Sequence, residues 1–392
     1  MMRICYVASD VVVPHHRGAS THVYEVAKNL ARLGHEVHVV SRRMGWAQPS
    51  HETLGGFHVH RIFRGLLVPT PYSTYDATKA SEKKRSSLAE NIYWAYLRTL
   101  HTLYATVFSA RVITRHRLDI VLERETSWGA GAAAAIITAR PAVLEIIGPR
   151  YSSLSVRRAK KILVYTDSAN PTIEAKKVVV PAGADTDLFK PGVDGEEVRR
   201  HYNLMDRPVV GYVGTFAEWH GVQNLIEASR AILSQVPTAR FLMVGPYYET
   251  TARSVLEAGL TDFYVFTGPV PYQMVPRYIN ASDVLIAPYN PAGQRPFTFF
   301  PLKIVEYMAC GKAVVATTVG VIPSLVKNGE NGLLVEPGEP RGLAHAIVRL
   351  LTDRRLAERL GSSARDTVQE DYSWKSFAQR IERILLQAMQ SP

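Results

Sequence analysis

Phe297-Thr298-Phe299-Phe300-Pro301-Leu302-Lys303-Ile304-Val305-Glu306-Tyr307-Met308-Ala309-Cys310-Gly311-Lys312-Ala313-Val314-Val315-Ala316 reads as a loop, a short helix and the start of a buried strand. Pro301 is expected to open the helix, because a proline at the first helical position gives up an N–H that has no partner there. Gly311 is expected to stop it, since the residue just past the last turn favours positive φ. The β-rich run from Ala313 to Thr318 follows. The loop therefore aims a helix N-terminus, whose free N–H groups and partial positive charge favour phosphate. Lys303 in the first turn runs against the helix dipole, which favours acids there. A lysine in that place makes sense when an anion binds beside it. Glu306, one turn on, can accept two hydrogen bonds from a cis-diol. Phosphate and ribose together predict a nucleotide.

Outward from this stretch the chain alternates strands and helices. In the first half, β-like runs at Arg3–Ser9, Glu36–Ser41, Phe57–Phe63, Ile120–Glu123, Ala142–Ile147, Lys161–Tyr165 and Lys177–Val180 are separated by helical patterns at Thr21–Leu33, Leu88–His116 and Gly129–Arg140. The second half repeats the plan with strands at Val209–Gly214, Arg240–Val244, Tyr264–Thr267 and Asp283–Pro288 and helices near Val222–Gln235, Thr250–Leu260 and Met274–Asn280. Strands spaced by helices predict parallel sheets covered on both faces. Two doubly wound α/β domains in tandem follow, 1–185 and 186–371, joined where Thr, Asp, Pro and Gly cluster at Asp185–Gly195. The segment 372–392 is expected to be an amphipathic helix. In the long helix from Leu88, core packing is expected to account for most of Tyr93, Trp94, Tyr96, Tyr104 and Phe108, with a basic-aromatic face on lipid as the alternative.

The 392 residues exceed one ordinary core and suit two domains. With 46% hydrophobic and 21% charged residues the composition is that of a globular protein, and no apolar run approaches the roughly 18 residues of a membrane span. The N-terminus runs straight into a strand pattern without a signal peptide's apolar region, and two cysteines form no disulfide framework, so a cytoplasmic setting is expected. Charge is unevenly placed. Residues 1–185 hold 25 Lys and Arg against 14 Asp and Glu, whereas 186–392 hold 21 of each, so the whole net charge of +11 lies in the first half. A basic solvated surface is one reading. Attraction to an anionic membrane surface or a phosphate-linked acceptor is the other. No recognition-helix or RNP-like pattern accompanies the charge, which argues against nucleic acid.

The run from Pro301 to Lys312 resembles the nucleotide-sugar segment of family-4 glycosyltransferases (glycosyl transferases group 1), retaining enzymes of the GT-B architecture. Glu306 matches the second of that family's two glutamates, which holds the donor ribose, and Thr298 stands where the first is usual. The segment Arg17-Gly18-Ala19-Ser20-Thr21-His22-Val23 is similar to the family's glycine loop, with Arg17 in place of one glycine; Ser20 or Thr21 is expected to cap the following helix. In Gly214-Thr215-Phe216-Ala217-Glu218-Trp219-His220-Gly221, Thr215 and His220 occupy the places of the family's phosphate-gripping Arg and Lys. Lys303 or Arg295 is expected to supply the missing cation. The loop after Gly268, with Val270, resembles the part that meets the base through backbone atoms. The element Val180–Asp185 is similar to the family's interdomain turn.

The resemblance implies two Rossmann-like domains facing a central cleft, with the C-terminal helix crossing back to the N-terminal domain. It also implies a donor site of Gly18, Gly214, Thr215, His220, Val270, Pro301, Leu302, Lys303 and Glu306. Ser20, His22 and Glu145 are placed on the acceptor side. Lys303, Thr298 and Glu123 are the catalytic candidates, although Glu123-Arg124-Glu125 equally reads as an ion-paired surface cluster. No His/Cys cluster of ligand spacing is visible, so no metal and no cofactor beyond a nucleoside-diphosphate sugar is expected. The expected activity is retaining, metal-independent sugar transfer to a glycan or lipid-linked acceptor. A degenerate partner subunit and a sugar-nucleotide epimerase or hydrolase are the alternatives.

Overall fold

The structure is a computed structural model that describes residues 1–14, 18–62, 88–125, 128–147, 151–167, 170–290 and 300–390. It divides into two compact units, Met1–Pro181 with Phe377–Pro392, and Ala182–Ser376. The division falls a few residues from the expected joint at 185. Ala184 donates its N–H to the Tyr372 carbonyl and accepts from the Trp374 N–H, so this stretch belongs with the end of the second unit. A Cβ on Gly183 would lie 2.4 Å from the Ser373 carbonyl carbon, which is why the close approach needs glycine.

The first unit contains eight strands: β1 (Arg3–Val12), β2 (Glu36–Arg42), β3 (His51–Leu54), β4 (Phe57–Ile62), β5 (Ile120–Arg124), β6 (Ala142–Ile146), β7 (Lys161–Val164) and β8 (Lys177–Val179). They form one sheet in the order β3-β4-β2-β1-β5-β6-β7-β8, parallel throughout except for the β3–β4 hairpin. Helices cover both faces, so β1, β2 and β5 are buried nearly end to end and read as apolar runs rather than alternating ones. The strand order reverses between β1 and β5. That is the switch point beyond whose carboxyl ends open α/β sheets bind ligands.

The second unit repeats the design with β9 (Val209–Val213), β10 (Arg240–Val244), β11 (Tyr264–Gly268), β12 (Val284–Ala287), β13 (Ala313–Thr317) and β14 (Leu333–Val335). All are parallel, in the order β11-β10-β9-β12-β13-β14. Here the reversal lies between β9 and β12. Two helices beyond the sequence reading, Pro340–Thr352 and Arg354–Asp371, complete the unit. Leu343, Ile347 and Leu350 of the first and Leu356 and Leu360 of the second enter the core beside Val210, Phe241 and Val315.

Three local expectations are corrected. The helix after β12 is Leu302–Ala309, so Pro301 is its N-cap rather than its first residue. The helix after β1 runs Gly18–Arg32, so Ser20 and Thr21 lie inside its first turn and do not precede it as caps. In the 28-residue helix Leu88–Arg115, Tyr93, Tyr96 and Tyr104 are exposed, not core, whereas Phe108 packs against the buried cluster of Cys5, Val7 and Ile113. Among the described residues no helix is long and apolar enough to cross a membrane.

Candidate functional site

In the second unit the switch point between β9 and β12 gathers two loops and one helix start. Glycines end three adjacent strands there. Gly214 donates its N–H to the Val244 carbonyl and Gly245 donates to the Gly268 carbonyl. Gly245 has φ +142°, and a Cβ there would fall 1.9 Å from the Gly214 oxygen, so the strand ends close up only with glycine. A Cβ on Gly214, at φ +150°, would sit 2.8 Å from Lys303 Nζ. The bare backbone at Gly214 is thus the space that Lys303 uses.

Lys303 Nζ donates to Tyr212 Oη at 2.9 Å and lies over the rings of Tyr212 and Tyr289, 4.4 and 5.0 Å from their centroids. Tyr212 in turn donates to the Thr215 carbonyl, which also accepts from His220 Nδ1 at 2.5 Å. This chain fixes the loop after β9 against the first turn of the helix. Burial pushes the Lys303 ammonium down to about 7, with Glu306 opposing the shift. Burial raises the Glu306 carboxyl to about 7, opposed by the Tyr272 hydroxyl, which donates to Oε1 at 3.0 Å, and by Lys303. His220 is pushed down to about 3 by burial and by nearby Lys303, so it is neutral and its Nδ1 proton is spent on Thr215. Lys303 is therefore the group among the expected donor residues of this unit that can carry positive charge. Leu302 is half-buried beside it, and Val270 packs against the small cluster of Val198, Leu204 and Val244.

In the first unit, β6 carries Glu145 with no exposed surface. Its carboxylate accepts from Tyr6 at 2.6 Å, Tyr165 at 2.8 Å and His22 Nε2 at 2.7 Å. Burial alone would raise this acid, but His22 and the three hydrogen bonds hold it down at about 2. Register explains the meeting. Tyr6 pairs with Leu122, two residues before Arg124, which pairs with Glu145, so Tyr6 and Glu145 share a face of the sheet. The helix Gly18–Arg32 lays His22 on that face, and Phe377 packs edge-on against the His22 ring at 5.7 Å. Ser20 is buried beside it, and its Oγ has no hydrogen-bond partner among the described residues. Among the described residues nothing lies within 4 Å of a Cβ placed on Gly18.

Glu123 is placed differently from the expectation. It is buried, its Oε1 accepts from the Gly131 N–H and its Oε2 from the Ala132 N–H, both at 3.1 Å. Two backbone donors at the start of the helix Ala130–Ile137 occupy it, so it is a helix cap and not a group offered to substrate. Thr298, Arg295, Arg17 and the basic residues Lys79, Lys83, Lys84 and Arg85 lie outside the described residues. The sequence reading missed Tyr212, Tyr272, Tyr289, Tyr6 and Tyr165, because an aromatic in or beside a strand reads as core. It also saw no histidine cluster, yet the fold brings the ring nitrogens of His38, His60 and His116 within 4.8 Å of one another. Burial, with the neighbouring imidazoles, pushes His60 down to about 3. Alternating His58 and His60 beside His38 was the available clue.

Comparison with known proteins bears on the family and the fold. The family model described as Glycosyltransferase Family 4 matches residues 16–206, and that described as Glycosyl transferases group 1 matches residues 207–353. A GDP-mannose-dependent alpha-(1-6)-phosphatidylinositol monomannoside mannosyltransferase from Mycolicibacterium smegmatis is 30% identical over 210 residues, 53% of this chain and 55% of the relative. The chain spans about half the length of the first curated relatives it matches. An N-acetyl-alpha-D-glucosaminyl L-malate synthase from Bacillus anthracis is 23% identical over 92% of this chain and 91% of the relative. The crystal structure of a glycosyltransferase from Rickettsia africae superposes with a TM-score of 0.76 over the whole of both chains at 20% identity, which speaks to the fold. Two adjoining family models, the doubly wound units and the Pro301–Lys312 motif agree: the chain belongs to the family-4, group-1 glycosyltransferases of GT-B fold.

Proposed function

We propose that the chain transfers a sugar, with retention of anomeric configuration, from a nucleoside-diphosphate sugar to a glycan or lipid-linked acceptor. The observation that carries this reading is the pair Lys303 and Glu306, one turn apart at the β9/β12 switch point, each moved by burial to titrate at about 7. A desolvated amine hydrogen-bonded to Tyr212 gains most when an anion arrives, because the anion restores its charge. The departing diphosphate gathers negative charge as the glycosidic bond breaks, and Lys303 with the start of the helix Leu302–Ala309 would stabilise it. Glu306 would take the ribose hydroxyls, held in orientation by Tyr272. The relative from Mycolicibacterium smegmatis is named for a GDP-mannose donor and a phosphatidylinositol monomannoside acceptor, which supports both halves of the proposal.

Retention without a covalent intermediate would follow if the acceptor hydroxyl attacks the face that the diphosphate leaves, so that positioning and charge stabilisation do most of the work. On the acceptor side His22 would be the group that meets substrate. Glu145, with three donors on one buried carboxylate, would be a positioning residue that orients His22.

A thermal-shift panel with UDP, GDP and ADP tests the donor, since a ligand bound only by the folded state raises its melting point. The Glu306→Ala variant should fold and lose most of the shift, as hydrogen bonds to a charged group contribute roughly 1.5–3 kcal/mol each. Wild-type affinity in that variant would remove the ribose assignment. The anomeric configuration of the product, read by NMR, tests retention.

A further inference from the structure

We propose that His38, His60 and His116 form a binding site for a borderline divalent transition ion of the zinc class. The three come from separate elements: His38 from the middle of β2, His60 from β4, and His116 from the residue after the long helix Leu88–Arg115. Their ligand nitrogens all lie within 4.8 Å of one another, and His38 Nδ1 stands 2.8 Å from His60 Nε2. Zinc–imidazole bonds of about 2.0–2.1 Å in tetrahedral array set nitrogens about 3.3 Å apart. Opening this contact by about half an ångström therefore admits an ion.

The second nitrogen of His38 makes the stronger argument. Nε2 donates to Glu36 Oε1 at 2.9 Å, which leaves the Nδ1 lone pair directed at the other two rings. A carboxylate behind a ligand histidine fixes its tautomer and orientation and raises its basicity, the usual second layer of a transition-metal site. His38 is 1% exposed and His60 8%, whereas His116 is only half-buried, so solvent reaches one side of the trio. Water, or the neighbouring His51 whose ring centroid lies 4.6 Å from that of His60, would complete four-coordination. His58 is engaged elsewhere, its Nδ1 contacting Thr53 Oγ1 at 3.1 Å.

The site is separate from the Glu145 cluster. Tyr6 pairs with Val39, so His38, one residue away, points to the opposite face of the sheet. An ion there would pin the end of the long helix to the β2–β4 edge, a clamp within the first unit.

The test uses the full chain without a histidine tag, stripped with chelator and titrated with Co²⁺ and then Zn²⁺. Saturable binding of about one ion per chain is expected, with the visible bands of tetrahedral cobalt that Zn²⁺ quenches. His116→Ala, at a half-exposed position where folding should survive, should weaken affinity at least tenfold, with Glu36→Gln costing about 10–100-fold through His38. His345→Ala, at an exposed position of the second unit, should change nothing. No saturable binding would overturn the proposal. Binding that survives His116→Ala, or that is lost only on removing His51 and His58 together, would equally overturn this ligand set.

Discussion

Lys303 and Glu306 are three residues apart, yet burial moves their protonation in opposite directions to about the same pH. As pH rises through 7, Lys303 loses its charge while Glu306 gains one. In the proposed donor site the phosphate contribution, which needs the ammonium, would be present below the shifted value and fade above it; the ribose contribution, which needs the carboxylate, would do the reverse. A bound diphosphate would raise the lysine's value, so the fading should begin somewhat above 7. We therefore expect the preference for a nucleoside diphosphate over its nucleoside to shrink between pH 7 and 9, by up to about tenfold per pH unit. Measuring both affinities in the wild type and in Lys303→Ala cancels the ligand's own ionisation. Parallel pH curves in the two proteins would place Lys303 away from the phosphates. The two residues could be paired from the sequence because they share one contiguous motif, in which helix start, dipole and spacing can be weighed together. Tyr212, Tyr272 and Tyr289 were not, since each lies in a different segment and its side chain has an ordinary core explanation.

At the scale of elements, strand–helix alternation revealed the sheets because both faces are covered and the apolar runs are long. Contacts made only by register stayed hidden. Nothing local to Glu145 says that Tyr6 lies on the same face, 139 positions away in sequence, or that His22 closes over both. The Glu123 cap was hidden for the same reason, as it serves a helix that starts after a loop. The Glu145 network has a measurable consequence. Its folded value of about 2 lies below the ordinary 4.5, so its contribution to stability is complete above about pH 4.5 and is lost as pH falls toward 2. A shift of that size corresponds to about 3 kcal/mol for a fully buried group. Glu145→Gln should be destabilised at neutral pH, because an amide N–H₂ replaces an acceptor that faces three donors. Its stability should also fall less steeply than the wild type's between pH 5 and 2, read as urea midpoints. Identical acid limbs would mean that Glu145 is not held ionised.

At the scale of the whole molecule, the charge asymmetry of the sequence meets a surface that the sequence offered only as the alternative to core packing. The helix Leu88–Arg115 turns Tyr93, Tyr96, Tyr104 and Val107 to solvent along one stripe, and Arg111 and Arg115 at its end are exposed too. An aromatic-basic stripe of this kind suits the headgroup region of a membrane, where rings sit at the interface and cations meet anionic lipid. We propose that this face of the first unit holds the enzyme at an anionic bilayer, where a lipid-linked acceptor would wait. The basic run Arg157, Arg158, Lys160 and Lys161 would add to the attraction. Each basic residue near such a surface contributes about 1 kcal/mol, screened over a Debye length of about 8 Å in physiological salt. The full chain should therefore co-sediment with phosphatidylglycerol vesicles at low ionic strength, weakly at high ionic strength, and not with neutral phosphatidylcholine. Arg111→Glu with Arg115→Glu should cut the bound fraction at least tenfold without touching nucleotide affinity. An acidic soluble acceptor would explain the same charge without lipid. Absence of vesicle binding even at low salt would leave that account standing and assign the exposed tyrosines to the acceptor instead.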